Sequence, residues 1–473
     1  MKLVKSLLLG SAAGIVAVGS AVAADLPVRK AAPVDYVQVC SQFGTGYFFI
    51  PGTDTCLRIS GYVRYQAEYN QSRYPTPSST GFTLGTLTAD AELANVIEEP
   101  DVLNATSSDP TVTPFTAERG RVFNQFARAA LNFDARTATE FGTLRSYASM
   151  FVDSDGVSLN QAYIEFAGLT AGQAPSFFRT VGVPAFRGSA FRTGENNSPM
   201  IGYTLDMGAF SAFISAEDRG INTTTAGATV FNGGAAIGAA AHKPSGMPDI
   251  VGGFQYSEGG IRVRVSGALN EIRTNLRVPA GVNPNGAFVD SKFGYAIQAG
   301  AVIDLPMIGS STNFQIQGTY AEGAINYVGV GQAGNRFTLQ TADAYRDASG
   351  SLKMSRAWGI YGTLNHGWAP NFTQSLYGSY GEYDAPSAVR RTFAAGDTVF
   401  NLQNDPAQFK TWQIGNIFTW SPAAGLDVAL DTNYTQTEAK RRILLQGQAS
   451  ANNARFTKND HNWTTTLRIQ RSF

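Results

Sequence analysis

Charge, histidine, cysteine and long apolar runs are all scarce in this sequence. Charged residues make up 15% of it and cancel to a net charge of +0 at pH 7. No basic run interleaved with aromatics stands out either, so a nucleic-acid partner held by phosphate neutralisation is not expected. The 3 histidines and 2 cysteines are too dispersed to compose a zinc site, and no metal or other cofactor is expected. Past the first two dozen residues, no stretch reaches the ~18 consecutive apolar residues of a membrane helix. That excludes helical spans only, because a barrel strand needs about 9–11 residues, half of them polar. Also missing is any Pro/Ser-rich hinge or charge block that would divide 473 residues into several soluble domains.

What is present is glycine, aromatics and arginine. There are 50 Gly, 30 Phe and 19 Tyr, and Arg outnumbers Lys by 27 to 9. The first residues form a separate module, with Lys2 and Lys5 before an apolar stretch from Leu7 to Val18 and the small residues Ala21-Val22-Ala23. This pattern predicts a signal peptide over 1–23, removed on export. In an exported chain Cys40 and Cys56 favour a disulfide, worth ~3 kcal/mol in the chain-entropy model, over a pair of idle thiols. The expected organisation is a signal peptide at 1–23, an N-terminal periplasmic segment with the disulfide at 24–56, and one membrane domain at 57–473.

From Leu57 onward, alternating segments recur with turn residues between them. Leu57, Ile59, Val63, Tyr65 and Tyr69 share one parity, with Arg58, Ser60, Arg64, Gln66 and Glu68 opposite. The last residues repeat the pattern: Trp463, Leu467, Ile469 and Phe473 against Thr464, Thr466, Arg468, Gln470 and Ser472. A period of two places each set on its own face of a strand. Alternation alone would also suit a sandwich, so loop lengths decide. Tight connections are expected near 135–140, 169–175, 206–209, 257–260, 306–312, 366–371 and 421–425. Long ones are expected near 71–118, 220–248, 271–291, 328–352, 385–408 and 440–460, and the shorter 153–156 and 187–199 fall on the same side. The count from Leu57 is sixteen. The expected fold is therefore all-β: a 16-stranded antiparallel transmembrane β-barrel with short periplasmic turns and long extracellular loops, wide enough for an aqueous channel.

Enzymatic constellations are thin. A membrane-embedded hydrolase would need a Ser–His pair, for which Ser375 or Ser379 with His366 is the nearest candidate, and their spacing supports nothing specific. The polar-parity arginines are more informative: Arg58, Arg64, Arg128, Arg145, Arg179, Arg262 and Arg264. In a water-filled barrel they can line the passage as solvated positive charge and set ion preference. The competing reading makes them structural ion-pair residues, with Glu165 and Asp134 as partners. Between Tyr74 and Ala117 lie six acidic residues and no Lys or Arg. Residues 87–99 there have helical composition with Thr88 or Asp90 as cap, so this long loop either enters the pore mouth or is solvated. The second constriction candidate is 187–199, with Glu195 as its acid.

The cysteines bracket Gly46-Tyr47-Phe48-Phe49-Ile50-Pro51-Gly52, and Ser60-Gly61-Tyr62-Val63-Arg64-Tyr65 comes next. Together with the signal peptide and the terminal Phe473, these residues resemble the alphaproteobacterial porin family. The resemblance is strongest over the first ~70 residues and the last ~15; between them only the strand rhythm agrees. It implies a trimeric general-diffusion porin passing ions and small hydrophilic solutes through a loop-narrowed pore. The loop after the fifth strand, matching 187–199, would fold inward. Phe473 would be the signal read by the barrel-assembly machinery, and outer-membrane lipid and lipopolysaccharide would surround the barrel. The alternatives are a solute-selective, anion-preferring channel, a surface adhesin or receptor barrel, and, last, an outer-membrane enzyme.

Overall fold

The computed structural model describes residues 38–72, 121–182, 184–186, 197–218, 228–232, 235–240, 246–273, 291–330, 341, 343–346, 351–386, 408–444 and 456–473. Sixteen antiparallel strands form one closed sheet. In chain order they are β1 (Cys56–Ser72), β2 (Arg121–Thr139), β3 (Gly142–Asp153), β4 (Gly156–Phe166), β5 (Leu169–Pro175) and β6 (Asn197–Met207). Then come β7 (Phe210–Glu217), β8 (Asp249–Glu258), β9 (Ile261–Ile272), β10 (Lys292–Asp304) and β11 (Asn313–Glu322). The last are β12 (Arg356–Ala369), β13 (Phe372–Asp384), β14 (Gln408–Ala423), β15 (Leu426–Leu444) and β16 (Phe456–Ser472).

Each strand pairs with its sequence neighbours, and β16 closes on β1 from Tyr62↔Ser472 to Ser72↔Asn462. The terminal residue completes the seam, since Gly61 and Phe473 exchange N–H···O bonds of 3.0 Å in both directions. A Cβ on Gly61 would lie 2.0 Å from the Ala130 carbonyl oxygen and 3.2 Å from the Phe473 ring, so only glycine fits there. Closure leaves no unpaired edge, as a sheet in lipid requires.

Burial is inverted relative to a soluble protein. On β10, Ile297 is 54% exposed while its neighbour Gln298 is 0% exposed. The outward parity carries Ile59, Val63, Leu205, Ile214, Val265, Ile360, Leu376 and Leu467. The inward parity carries Gln66, Gln317, Thr363, Gln413, Asp431 and Thr466, all buried. This is the arrangement of a barrel with lipid outside and a polar interior.

The expected connection after β4 is misplaced. The stretch 169–175, expected as a tight connection, is strand β5, and the turn lies just before it at Ala167 and Gly168, both with positive φ (48° and 87°). This shift displaces the next segment. Residues 176–182 and 184–186, part of an expected strand with Arg179 on its polar parity, leave the sheet and enter the barrel.

Before β1, Phe48–Phe49 pairs with its first residues (Phe48↔Leu57, Phe49↔Cys56), and Cys40 and Cys56 are disulfide-bonded with Cα atoms 6.0 Å apart. The expected signal peptide, the helix at 87–99 and, of the expected constriction at 187–199, residues 187–196 with Glu195 lie outside the described residues, while Asn197, Ser198 and Pro199 belong to β6. On the long-loop side, Ala228–Asn232, Ala235–Ala240, Ala344–Arg346 and Leu352–Met354 make a separate small sheet.

Candidate functional site: a loop-narrowed lumen

A backbone segment inside a barrel has no ladder partner, so its polar groups must be met by side chains. Residues 176–186 are met this way, by inward residues of strands far away in sequence. The Phe177 N–H donates to Glu217 Oε1 (2.9 Å), which also accepts from Ser215 Oγ (2.9 Å). The Phe177 carbonyl accepts from Arg264 Nη2 (2.5 Å) and the Phe178 carbonyl from Ser266 Oγ (2.8 Å). Further along, the Val181 N–H donates to Gln317 Oε1 (3.2 Å) and the Phe186 N–H to Asp431 Oδ2 (2.8 Å). Asp431 Oδ1 accepts from Tyr377 OH (2.7 Å).

Packing fixes the same path. Phe178 is fully buried, edge-on to Tyr327 with ring centroids 4.6 Å apart, and Tyr327 OH donates to Asp249 (2.9 Å). Val181 clusters with Tyr361, Tyr377 and Ile417. Thr180 occupies the space above Gly300, where a Cβ would lie 2.6 Å from its methyl. The segment therefore runs along the inner wall from β7 to β15 and narrows the lumen from that side.

Across from it stand the arginines of β16, β1, β2 and β3, in two tiers. In the middle tier, Arg64 and Arg128 are directly paired across β1 and β2, and Arg468 sits opposite Gln66. Arg64 donates through Nε and Nη2 to Gln470 Oε1 (2.9 and 2.8 Å) with its guanidinium 4.4 Å from the Tyr62 ring centre. Arg468 donates to Gln66 Oε1 (3.1 and 3.0 Å) and lies over the Phe186 ring at 3.4 Å, so the wall grips the loop here. Neither Arg64 nor Arg468 has an ion pair among the described residues, whereas Arg128 is paired to Asp153 at 2.8 Å.

The lower tier is neutralised. Asp134 accepts from Arg136 and Arg145, with Arg58 at 3.8 Å, and Arg145 also pairs with Glu165 at 2.8 Å. Tyr47, carried in by the disulfide-bonded arm, donates its OH to Asp134 (2.8 Å) with Arg58 and Arg136 against its ring. Burial and the neighbouring Asp134 carboxylate push the Tyr47 phenol above its ordinary value.

The expected arginines thus divide by environment. Arg58 and Arg145 belong to the Asp134 cluster, and Arg128 has its own acid. Arg64 faces the lumen unpaired, as does Arg262 at the exposed end of β9, again among the described residues. Arg264 pins the loop. Arg179 lies on that loop instead of on a strand. Arg136 and Tyr47 escape sequence reading, because Arg136 falls where a turn is expected and nothing local ties Tyr47 to Asp134, 87 positions away. His366 faces outward and bonds Thr312, while Ser375 faces the lumen and donates to Asn365, so the expected Ser–His candidate is not assembled. Among the described residues, no group of three or more His, Cys, Asp or Glu could hold a metal ion.

A closed sixteen-stranded barrel with a lipid-compatible exterior, a polar interior and an internally folded loop after the fifth strand defines the class: a membrane-spanning β-barrel with a loop-narrowed interior. The family model described as "Porin subfamily" matches residues 25–467, and the chain belongs to that family. Among curated relatives, porin Omp2b of Brucella suis is 34% identical over 285 residues, covering 54% of this chain and 63% of that protein. Porin Omp2b of Brucella abortus is 30% identical over 282 residues with the same coverage. The chain thus spans somewhat less than two thirds of the length of the curated relatives it matches. In architecture, the outer membrane channel DcaP of Acinetobacter baumannii superposes with a TM-score of 0.57 at 14% identity, over 90% of this chain and 99% of that one.

Proposed function

We propose that the chain forms a water-filled channel for passive diffusion of ions and small hydrophilic solutes. The observation carrying this reading is the lumen cross-section. One side is lined by a loop whose backbone is satisfied by wall side chains, and the other by polar side chains and solvated cations. Such an arrangement narrows the barrel from one side, where the loop packs against the wall around Phe178, Tyr327 and Val181, and leaves the arginine side polar. Liposome swelling tests it: vesicles containing the protein should swell in small sugars at rates that fall with solute size. Absence of swelling with even the smallest sugar would favour an occluded receptor barrel.

A second reading, preference for anions, is supported by Arg64 and Arg468. Neither guanidinium has an ion pair among the described residues, Arg468 having only a longer-range interaction with the Asp431 carboxylate, and at the level of the loop they raise local anion concentration. Homotrimerisation is supported by the outer surface. All five tryptophans lie on β12, β14 and β16, and the outward parity of β2–β5 carries no Tyr or Trp. The Tyr and Trp of an interfacial girdle are thus absent where a neighbouring copy would replace lipid, and only phenylalanines such as Phe123 on β2 and Phe141 at the β2–β3 turn stand exposed. β5 is also the shortest strand of the barrel at 7 residues.

Contact with lipopolysaccharide is supported by an outward row of charge at the long-loop end, Glu322, Arg356, Glu382, Lys410 and Glu438. Arg356–Glu322 (3.2 Å) and Lys410–Glu438 (2.8 Å) are ion-paired, and Arg356 remains exposed to a phosphate headgroup. The outward Phe473 ring at the seam supports a role as the assembly signal. The organisation into signal peptide, disulfide arm and barrel is proposed with the boundaries given above.

A further inference from the structure

The arginine wall carries aromatic rings on the face where a water-filled lumen calls for polar side chains. Tyr62 on β1 and Phe151 on β3 share the inward parity, and each is paired to Ala130 of β2, one from either side. That sets their backbones two strand spacings, or about 10 Å, apart. Ala130 is 1% exposed, while Tyr62 and Phe151 are half-buried and keep part of their surface toward the lumen.

Two residues along the ladder, each ring meets a guanidinium. Arg64 and Arg128, paired directly across β1 and β2, lie 4.4 Å from the Tyr62 ring centre and 4.7 Å from that of Phe151. A third stack, Arg468 over Phe186 of the loop at 3.4 Å, stands beside them on β16. These guanidiniums keep open donors. Arg64 donates Nε and Nη2 to the neutral Gln470 and Arg128 donates the same pair to Asp153, so neither Nη1 has a hydrogen-bond partner among the described residues. The Arg128 side chain is 30% exposed and Arg64 is half-buried. Asp153 is the one carboxylate ion-paired to the three arginines among the described residues.

We infer that this row of stacks is a binding platform for small aromatic anions, a flat ring bearing one carboxylate or sulfonate, set on the permeation path. The acid group takes the open Nη1 edges of Arg64 and Arg128, charge-assisted bonds that any small anion finds there. The ring lies on the guanidinium and aromatic surface, which is weakly hydrated and rewards a π-system with stacking and cation–π contact. A saturated ring of similar size and equal charge forgoes those contacts, so aromaticity is the property discriminated. The inference deepens the anion-preferring reading and rests on a lumen open to solutes.

Saturation-transfer NMR on the full chain in detergent tests it, with benzenesulfonate and cyclohexanesulfonate as probes and empty micelles as the baseline. Benzenesulfonate should bind saturably and about fivefold more tightly than cyclohexanesulfonate. Phe151→Leu keeps an apolar side chain without the ring and should shrink that ratio to about twofold. Arg64→Gln should weaken both probes about threefold. Equal affinity of the two probes for the unaltered protein, or no binding of either, overturns the inference without any variant. A ratio that stays fivefold in both Phe151→Leu and Tyr62→Leu, each shown to be folded by its heat-modifiable gel migration, also overturns it. Single-channel current of the unaltered protein in KCl is recorded in parallel. If current flows but the probes are not discriminated, only the aromatic site is wrong. If the probes are discriminated but no current flows, only the diffusion reading is wrong.

Discussion

Arg64→Gln removes one charge from the lumen wall while keeping a side chain that can hydrogen-bond. Because Arg64 is held by the neutral Gln470 and not by a carboxylate, the substitution exposes no buried acid. A unit charge about 5 Å from an ion in water is worth about 0.8 kcal/mol, and salt near 0.1 M reduces this to about 0.5 kcal/mol. That energy changes the local concentration of each ion roughly twofold in opposite directions, so the anion-to-cation permeability ratio should fall about fivefold. Reversal potentials in a KCl gradient across a planar bilayer read this directly. Arg64→Lys should retain most of the selectivity, since it keeps the charge and loses only the planar fork. Loss of the Gln470 contacts costs about 1 kcal/mol, too little to open a sheet closed through its whole ladder. An unchanged reversal potential in a conducting Arg64→Gln channel would refute the reasoning and make Arg64 a structural residue.

Asp431→Ala leaves the Phe186 N–H and the Tyr377 hydroxyl without their acceptor. It should destabilise the loop by about 2–4 kcal/mol, seen as noisier and larger single-channel currents, with Asp431→Asn milder. Tyr47→Phe should loosen the N-terminal arm by about 1.5–3 kcal/mol, measured as faster proteolysis before residue 56. The Tyr47 phenol titrates above its ordinary value of 10.0, so its contribution holds at lower pH and is lost only as pH rises beyond that value. An alkaline titration monitored by tyrosinate absorbance and arm proteolysis should show both changes together. Replacing Cys40 and Cys56 by Ser should cost ~3 kcal/mol in the same arm while the barrel keeps its heat-modifiable migration in detergent gels. Gly61→Val drives a side chain into the Ala130 carbonyl at the closure seam. It should lower the gel-shift temperature through an overpacking cost of about 1–3 kcal/mol.

The parts of this fold legible in sequence are those where lipid and water impose opposite demands on adjacent residues. β1 and β16 alternate cleanly because each outward position meets hydrocarbon and each inward one meets the lumen. The short β5, Leu-Thr-Ala-Gly-Gln-Ala-Pro, has only small and polar residues after Leu169, so its glycine and proline read as a turn. Residues 177–181 read as a strand because Phe, Thr and Val favour strands, although Arg179 shares its parity with the apolar Phe177 and Val181. What draws the loop inward is remote: Glu217, Gln317 and Asp431 accept its N–H groups from 40, 136 and 245 positions away. No local pattern encodes those acceptors. The Asp134 and Glu165 partnerships are legible as inward acids facing inward arginines on neighbouring strands. Which arginines stay unpaired depends on register, and only the assembled sheet sets Arg64 against Gln470 and Arg468 against Gln66.

The central claim is that the loop at 176–186 narrows this barrel while leaving an open aqueous passage along the arginine wall of β16, β1 and β2. Single-channel recording of the reconstituted protein across a KCl series tests it most directly. Discrete ohmic steps are expected, their size growing in proportion to salt concentration, with reversal potentials weighted toward chloride. A membrane that stays closed at every salt concentration, with the protein folded and inserted, would contradict it.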